Sequence, residues 1–241
     1  MTSQASRDLL WTINSPSLIQ SPQERNVLEL PTCGAADFNA SMLQTRLDAV
    51  PNHRVGRYFE HLINFYLEAV RGFEIVERGL QIQEHGRTVG EIDFLFRDAS
   101  GSLVHCEAAV KFYLYVPESN DSGSHLIGPN SSDNFERKMQ RLFEHQLPLS
   151  EERFPEVTRR QAFVKGCIFY HPLHNQPKSL PDQLSPDHLQ GSWIRESELD
   201  LLDDSSIPAR FRLVRKPHWL SPEMATSSDD TLLTSDDVKD S

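Results

Sequence analysis

Asp93, Glu107 and Lys111 are the side chains of this chain whose types and spacing could do chemistry together. Val89-Gly90-Glu91-Ile92-Asp93-Phe94-Leu95-Phe96-Arg97 reads as a strand. After an Asp-Ala-Ser-Gly turn, Leu103-Val104-His105-Cys106-Glu107-Ala108-Ala109-Val110-Lys111-Phe112-Tyr113 reads as the next. Side chains alternate faces along a strand. Gly90, Ile92, Phe94 and Phe96 are thus expected on one face, and Val89, Glu91, Asp93, Leu95 and Arg97 on the other. The second strand splits the same way, with Cys106, Ala108, Val110, Phe112 and Leu114 opposite Glu107, Ala109, Lys111, Tyr113 and Tyr115. Two adjacent strands then place Asp93, Glu107 and Lys111 on one surface. Carboxylates that converge either repel each other or share a divalent cation, and a lysine beside them completes an acid, metal and base set. A hairpin with one face in water gives the same alternation without any site.

The elements that must position these residues follow from periodicity. Apolar residues at Val55, Phe59, Leu62, Ile63, Phe65, Tyr66, Leu67 and Val70 recur at helical spacing, and Gly72 sits where that helix would stop. Phe73 to Glu77 and Leu80 to Glu84 are short alternating runs, joined to the Asp93 strand by a His85-Gly86 turn. A polar loop runs from Pro117 to Asn130. Asp133 to Glu136 has the spacing of a capping box, and the helix it opens carries Phe135, Met139, Leu142 and Phe143 on one side with Arg137, Lys138 and Arg141 nearby. Gln161 to Tyr170 reads as a buried strand, and Trp193-Ile194 and Arg210 to Val214 as further edge strands. The order is helix, strand meander, helix, strand.

Length and composition bound the rest. A chain of 241 residues with 38% hydrophobic and 24% charged residues suits one substantial globular domain with extensions. We divide it into a helical arm packed on the core (1–50), an α/β core (51–175), a C-terminal extension of the same domain (176–222) and a disordered acidic tail (223–241). No apolar run reaches the roughly 20 residues of a membrane span. The opening residues do not resemble a secretory signal, and three cysteines are too few and odd for a disulfide scaffold, so a cytoplasmic setting is expected. A net charge of -11 opposes polyanion binding by the bulk surface, although Arg137, Lys138, Arg141, Arg153, Arg159, Arg160 and Lys165 form a basic middle. Cys167, His171 and His174 are a weak zinc candidate without a convincing fourth ligand.

This order of elements, with acids on the meander, resembles the PD-(D/E)XK nuclease-like superfamily. The resemblance implies a restriction-endonuclease-like α/β core, a central mixed sheet flanked by helices and elaborated at both ends. It also implies a metal-dependent nuclease or phosphodiesterase in which Glu60 of the first helix, Asp93 and Glu107 hold Mg²⁺ or Mn²⁺. Lys111 would then orient water or stabilise charge, and Tyr113, Lys138 and Asn130 would contact a nucleic-acid substrate; for Tyr113, packing under the loop is the competing role. In that superfamily a lysine ordinarily stands two residues after the second acid. Here Ala109 occupies that position, and Lys111 lies about 13 Å from Glu107 along a regular strand. This departure keeps open a catalytically degenerate nuclease-fold module that binds nucleic acid or a protein partner. More narrowly, Gly56 to Glu60, Arg87 to Phe94, Glu107 to Tyr113, Gly128-Pro129-Asn130 and Gln146 to Ser150 resemble an uncharacterised bacterial family known only as a domain of unknown function. That family brings no established activity.

Overall fold

The computed structural model describes residues 3–21, 26–50, 54–117, 125–130, 133–174, 177, 179–203, 211–222 and 232–239. Three helices precede the sheet: α1 (Gln4–Asn14), α2 (Ala40–Asp48) and α3 (Val55–Phe65), the last continued by a π-helical turn over Tyr66–Val70. The Ser3 and Asn39 side chains cap α1 and α2 by accepting a backbone N–H. α3 is helical because Tyr58, Phe59, Leu62, Ile63 and Phe65 form one buried stripe, and the chain stops beyond it at Gly72, whose φ is +65°.

The sheet follows. β1 (Glu74–Glu84), β2 (Arg87–Arg97) and β3 (Leu103–Tyr115) form an antiparallel meander. The two short runs expected before the Asp93 strand are one strand, β1, and the His85-Gly86 turn holds both residues at positive φ. β4 (Leu126–Ile127) adds a short pairing to the end of β3. α4 (Phe135–Arg141) then crosses over to β5 (Val157–Tyr170), which runs parallel to β3, and β6 (Leu189–Ser192) extends the sheet in parallel. The result is a mixed open sheet of order β1-β2-β3-β5-β6 with helices on both faces. Phe94, Phe96, Val104, Cys106 and Phe163 pack with α1, α2 and α3 on one face; Tyr113, Ala162, Val164 and Ile168 pack with Phe135 and Met139 of α4 on the other. Among the described residues no helix is long and apolar enough to cross a membrane.

Several expectations need correction. Strict alternation fails at Asp93: Ile92 packs with Leu80, Ile82, Leu95 and Leu103, whereas Phe94 and Phe96 face the α3 side. The break is paired across the hairpin. Arg78 and Leu80 partner Phe94 and Ile92, and between them Gly79 takes φ +62°, a conformation that reverses the strand's faces. The N-cap of α4 is Asn134, which accepts from Arg137 N–H, so the Asp133 capping box does not form. The acidic tail is not wholly without structure. Residues 223–231 lie outside the described set, but Leu233 exchanges two backbone hydrogen bonds with Phe211, and a short α5 (Ser235–Lys239) places Lys239 Nζ 3.1 Å from Asp200. The added parallel strand is Leu189–Ser192, just before Trp193-Ile194; of the Arg210 to Val214 run, Arg210 lies outside the described residues and 211–214 contributes the Phe211 bridge. Half of the Pro117 to Asn130 loop, positions 118–124, lies outside the described residues.

Candidate functional site

The β2–β3 ladder pairs Arg97, Phe96, Leu95 and Phe94 with Leu103, Val104, His105 and Cys106 and then ends. The next residue on each strand is an acid, Asp93 on β2 and Glu107 on β3. They close the fork reciprocally. Ala108 N–H donates to Asp93 Oδ2 at 2.9 Å, and the Asp93 backbone N–H donates to the Glu107 carboxylate. Side-chain oxygens thus replace the ladder acceptors that diverging strands no longer supply.

Glu107 is 1% exposed. Burial, with the Glu107 charge beside it, pushes Asp93 up to about 7; burial, with Glu91 nearby, raises Glu107 likewise to about 7. Two neighbouring carboxyls withdrawn from water cannot both ionise cheaply. The groups that oppose the shift come from α4 and the turn after it. Lys138 lowers both acids electrostatically, and Gln146 Nε2 donates to Glu107 Oε2 at 2.6 Å while Gln146 Oε1 accepts from Lys138 Nζ at 2.8 Å. Lys138 is itself held below the ordinary lysine range, first by burial and then by Lys111. On the α3 side, Glu60 adds to the negative field at Asp93, and Arg57 bridges Glu60 at 2.9 Å and Glu91 at 3.7 Å.

Behind Glu107 lies a buried polar chain. His105, fully buried, places Nε2 2.9 Å from Glu107 Oε1 and Nδ1 2.9 Å from Ser150 Oγ, which accepts from Arg160 Nε. Burial and the nearby Arg160 hold His105 down to about 4, so the ring is neutral and its contact with Glu107 is a hydrogen bond between neutral imidazole and carboxyl. In either tautomer the ring links Ser150 to Glu107. His105, Gln146 and Ser150 were not read as site residues from the sequence. The i, i+2 spacing of His105 and Glu107 on one strand was the signal that could have found the first of them.

The structure brings Asp93, Glu107 and Lys138 together, with Glu60 on the adjoining helix. It does not bring Lys111. The Lys111 ammonium is paired with Asp133 at 2.6 Å, and β3 is held straight there by parallel pairing with Gly166, so no bulge carries Lys111 back toward Glu107. Tyr113 is fully buried, edge-on to Phe135 at 5.8 Å between ring centroids, and so unavailable for stacking on a base. Asn130 is exposed in the turn before α4, where its carbonyl accepts from Asp133 N–H. The zinc candidate is also set aside, because His171 Nε2 contacts Glu198 at 2.7 Å and Nδ1 accepts from Leu173 N–H.

Among the described residues no group of three or more His, Cys, Asp or Glu side chains is arranged to hold a metal ion. What the fork offers is a pair of hard carboxylate donors. That is the number Mg²⁺ commonly takes from a protein, with water and phosphate oxygens completing its shell, and the strained ionisation of the pair is the state a cation would relieve. The donor set therefore fits a hard divalent cation by its chemistry.

Fold and site define an α/β protein with a mixed six-stranded sheet and two carboxyls, one buried and one half-buried, at the fork where its central antiparallel strands part. The chain belongs to the family described as a domain of unknown function, DUF1853, whose model matches residues 7–240. Neither a curated protein nor a solved structure matches it.

Proposed function

We propose that this protein is a metal-dependent phosphodiesterase of the PD-(D/E)XK type, acting on nucleic acid from a restriction-endonuclease-like core. The observation that carries the reading is the meeting of Asp93 and Glu107 at the β2–β3 fork, both held up to about 7. The connectivity supports it as well: a helix, an antiparallel meander, a crossover helix and a parallel strand, with the acids on the second and third strands. Asp93 and Glu107 would hold Mg²⁺ or Mn²⁺, and Glu60 would approach from α3. When bound, the ion would acidify a water molecule and neutralise charge developing on a phosphate. Lys138, not Lys111, is the cation that faces both acids, and we assign it the role of holding the phosphate or the attacking water. Gln146 and His105 hold the Glu107 carboxylate in place.

A second reading rests on a different observation. Both Glu107 oxygens already accept hydrogen bonds, from Gln146 and within reach of His105, and Lys111 is committed to Asp133. This suits a degenerate module that keeps the shape of the site without turnover. Calorimetric titration of Mn²⁺ into the wild type and into the Asp93→Ala/Glu107→Ala variant tests the site, followed by a cleavage assay on labelled single- and double-stranded DNA and RNA. Asp93-dependent binding with metal-dependent cleavage supports the phosphodiesterase. Full cleavage by the double variant would refute it, and metal binding or polynucleotide binding without turnover would favour the module.

A further inference from the structure

A hollow of about 710 Å³ opens on the α3-side face of the sheet beyond the end of that helix. Phe112 of β3, Phe169 of β5 and Leu189 of β6 form its floor, and Trp219 and Leu220 of the segment 211–222 form a wall. This volume lies in the range of small-molecule sites, and a sheet face this apolar is ordinarily covered. Of its polar neighbours, Ser221 Oγ donates to Asp8 at 2.6 Å and His218 Nδ1 lies 3.4 Å from the same carboxyl, which leaves the exposed Gln190 as the uncharged polar side chain on its lining.

One end of the hollow is cationic. A smaller recess of about 320 Å³ shares Phe112 and Trp219 with it and is completed by Arg54, Val55, Val110 and Lys216. Arg54 and Lys216 are exposed, and neither has a carboxylate partner among the described residues. Lys216 Nζ stands 4.7 Å from the centre of the Trp219 ring, so the charge sits directly on the aromatic wall that the two spaces share. In a chain of net charge -11, two cations beside an apolar hollow, without a carboxylate partner among the described residues, are a local exception.

The geometry points to a second binding site, for one anionic amphiphile: a long-chain carboxylate whose chain lies over Phe112, Phe169 and Leu189 and whose head meets Arg54 and Lys216. A nucleobase would bring several polar edges into a space whose lining offers Gln190 as its one uncommitted uncharged polar side chain, and an uncharged hydrocarbon would leave the two cations unused. The site is separate from the acid pair. It uses the opposite side of β3 from Glu107 and does not depend on the phosphodiesterase reading.

The test is a calorimetric titration of the full chain with octanoate, decanoate and dodecanoate below their micellar concentrations, following Trp fluorescence in parallel. Binding at one per chain is expected, tightening roughly threefold to fourfold for each added methylene. Dodecyltrimethylammonium should bind at least tenfold more weakly than dodecanoate. The surface variant Arg54→Glu/Lys216→Glu should lose at least tenfold for dodecanoate and little for dodecan-1-ol, with an unchanged circular dichroism spectrum. The Asp93→Ala/Glu107→Ala variant should bind dodecanoate like the wild type. No saturable binding by the wild type would overturn the proposal, as would equal binding of the cationic and anionic detergents. So would sedimentation of the free protein as a dimer that dodecanoate leaves intact, since a second copy would then fill the hollow.

Discussion

Asp93 and Glu107 make the protein's response to pH a property of one fork. A carboxyl whose folded pKa is raised keeps its proton in the native state after the unfolded chain has released it, so stability falls as pH rises from about 4 to about 7. His105 and His61, both held down to about 4, act in the opposite sense between pH 4 and 6.5. Comparison with Asp93→Asn cancels the His61 contribution, and a window from pH 5 upward lies above the folded value of His105; the asparagine oxygen can still accept from Ala108 N–H. We expect this variant to match the wild type near pH 5 and to exceed it by about 2 kcal/mol near pH 8, measured by urea unfolding. Equal stability at both pH values would show that the pair is not strained. On the proposed reading, Lys138→Gln should cost about 100-fold in cleavage rate while Lys111→Gln costs less than tenfold, which steady-state kinetics would check. Strand parity made Asp93 and Glu107 legible. Lys138 was not assigned this role because its approach depends on how a crossover helix lies on the sheet, which no local pattern records.

At the level of elements, the site depends on where strands are forced together and where they part. Gly166 sits opposite Lys111 at φ +153°, and a Cβ there would stand 1.8 Å from the Lys111 carbonyl oxygen. Gly166→Ala should therefore destabilise the fold by about 3 kcal/mol or more, seen as a lowered denaturation midpoint or loss of soluble protein. Asn134→Ala removes the cap of α4, the helix that carries Lys138; about 1 kcal/mol of stability should be lost, with a weakening of Mn²⁺-dependent cleavage beyond that explained by unfolding. The helix and strand order was readable because the apolar spacing of α3 and the runs of β2, β3 and β5 are long and regular. The face reversal at Gly79 and Asp93 was not. Gly79 reads as an ordinary break between two short runs, and only its pairing across the hairpin turns it into the device that tips Ile92 and Phe94 to opposite sides.

The whole molecule is tied together at Asp8, which is fully buried on α1. Its carboxyl accepts from the Tyr58 hydroxyl of α3 at 2.8 Å, from Gln4 at 2.9 Å, and from both the backbone N–H and the hydroxyl of Ser221. Asp8→Ala would strand the Tyr58 and Ser221 donors in the core and should cost about 3 kcal/mol or more in denaturant unfolding, with the segment around Trp219 losing hydrogen-exchange protection first. A helical arm packed on the core was expected over residues 1–50, but a contact between residues so distant in sequence leaves no periodic trace. Asp8 and Ser221 are 213 positions apart. At ordinary rates of synthesis, the ribosome needs on the order of ten to forty seconds after making the first to deliver the second. Throughout that interval the acid on the inner face of α1 has Tyr58 and Gln4 to answer it but not Ser221, so the bond that fastens α1 to the segment 211–222 closes only after every strand of the sheet has been made.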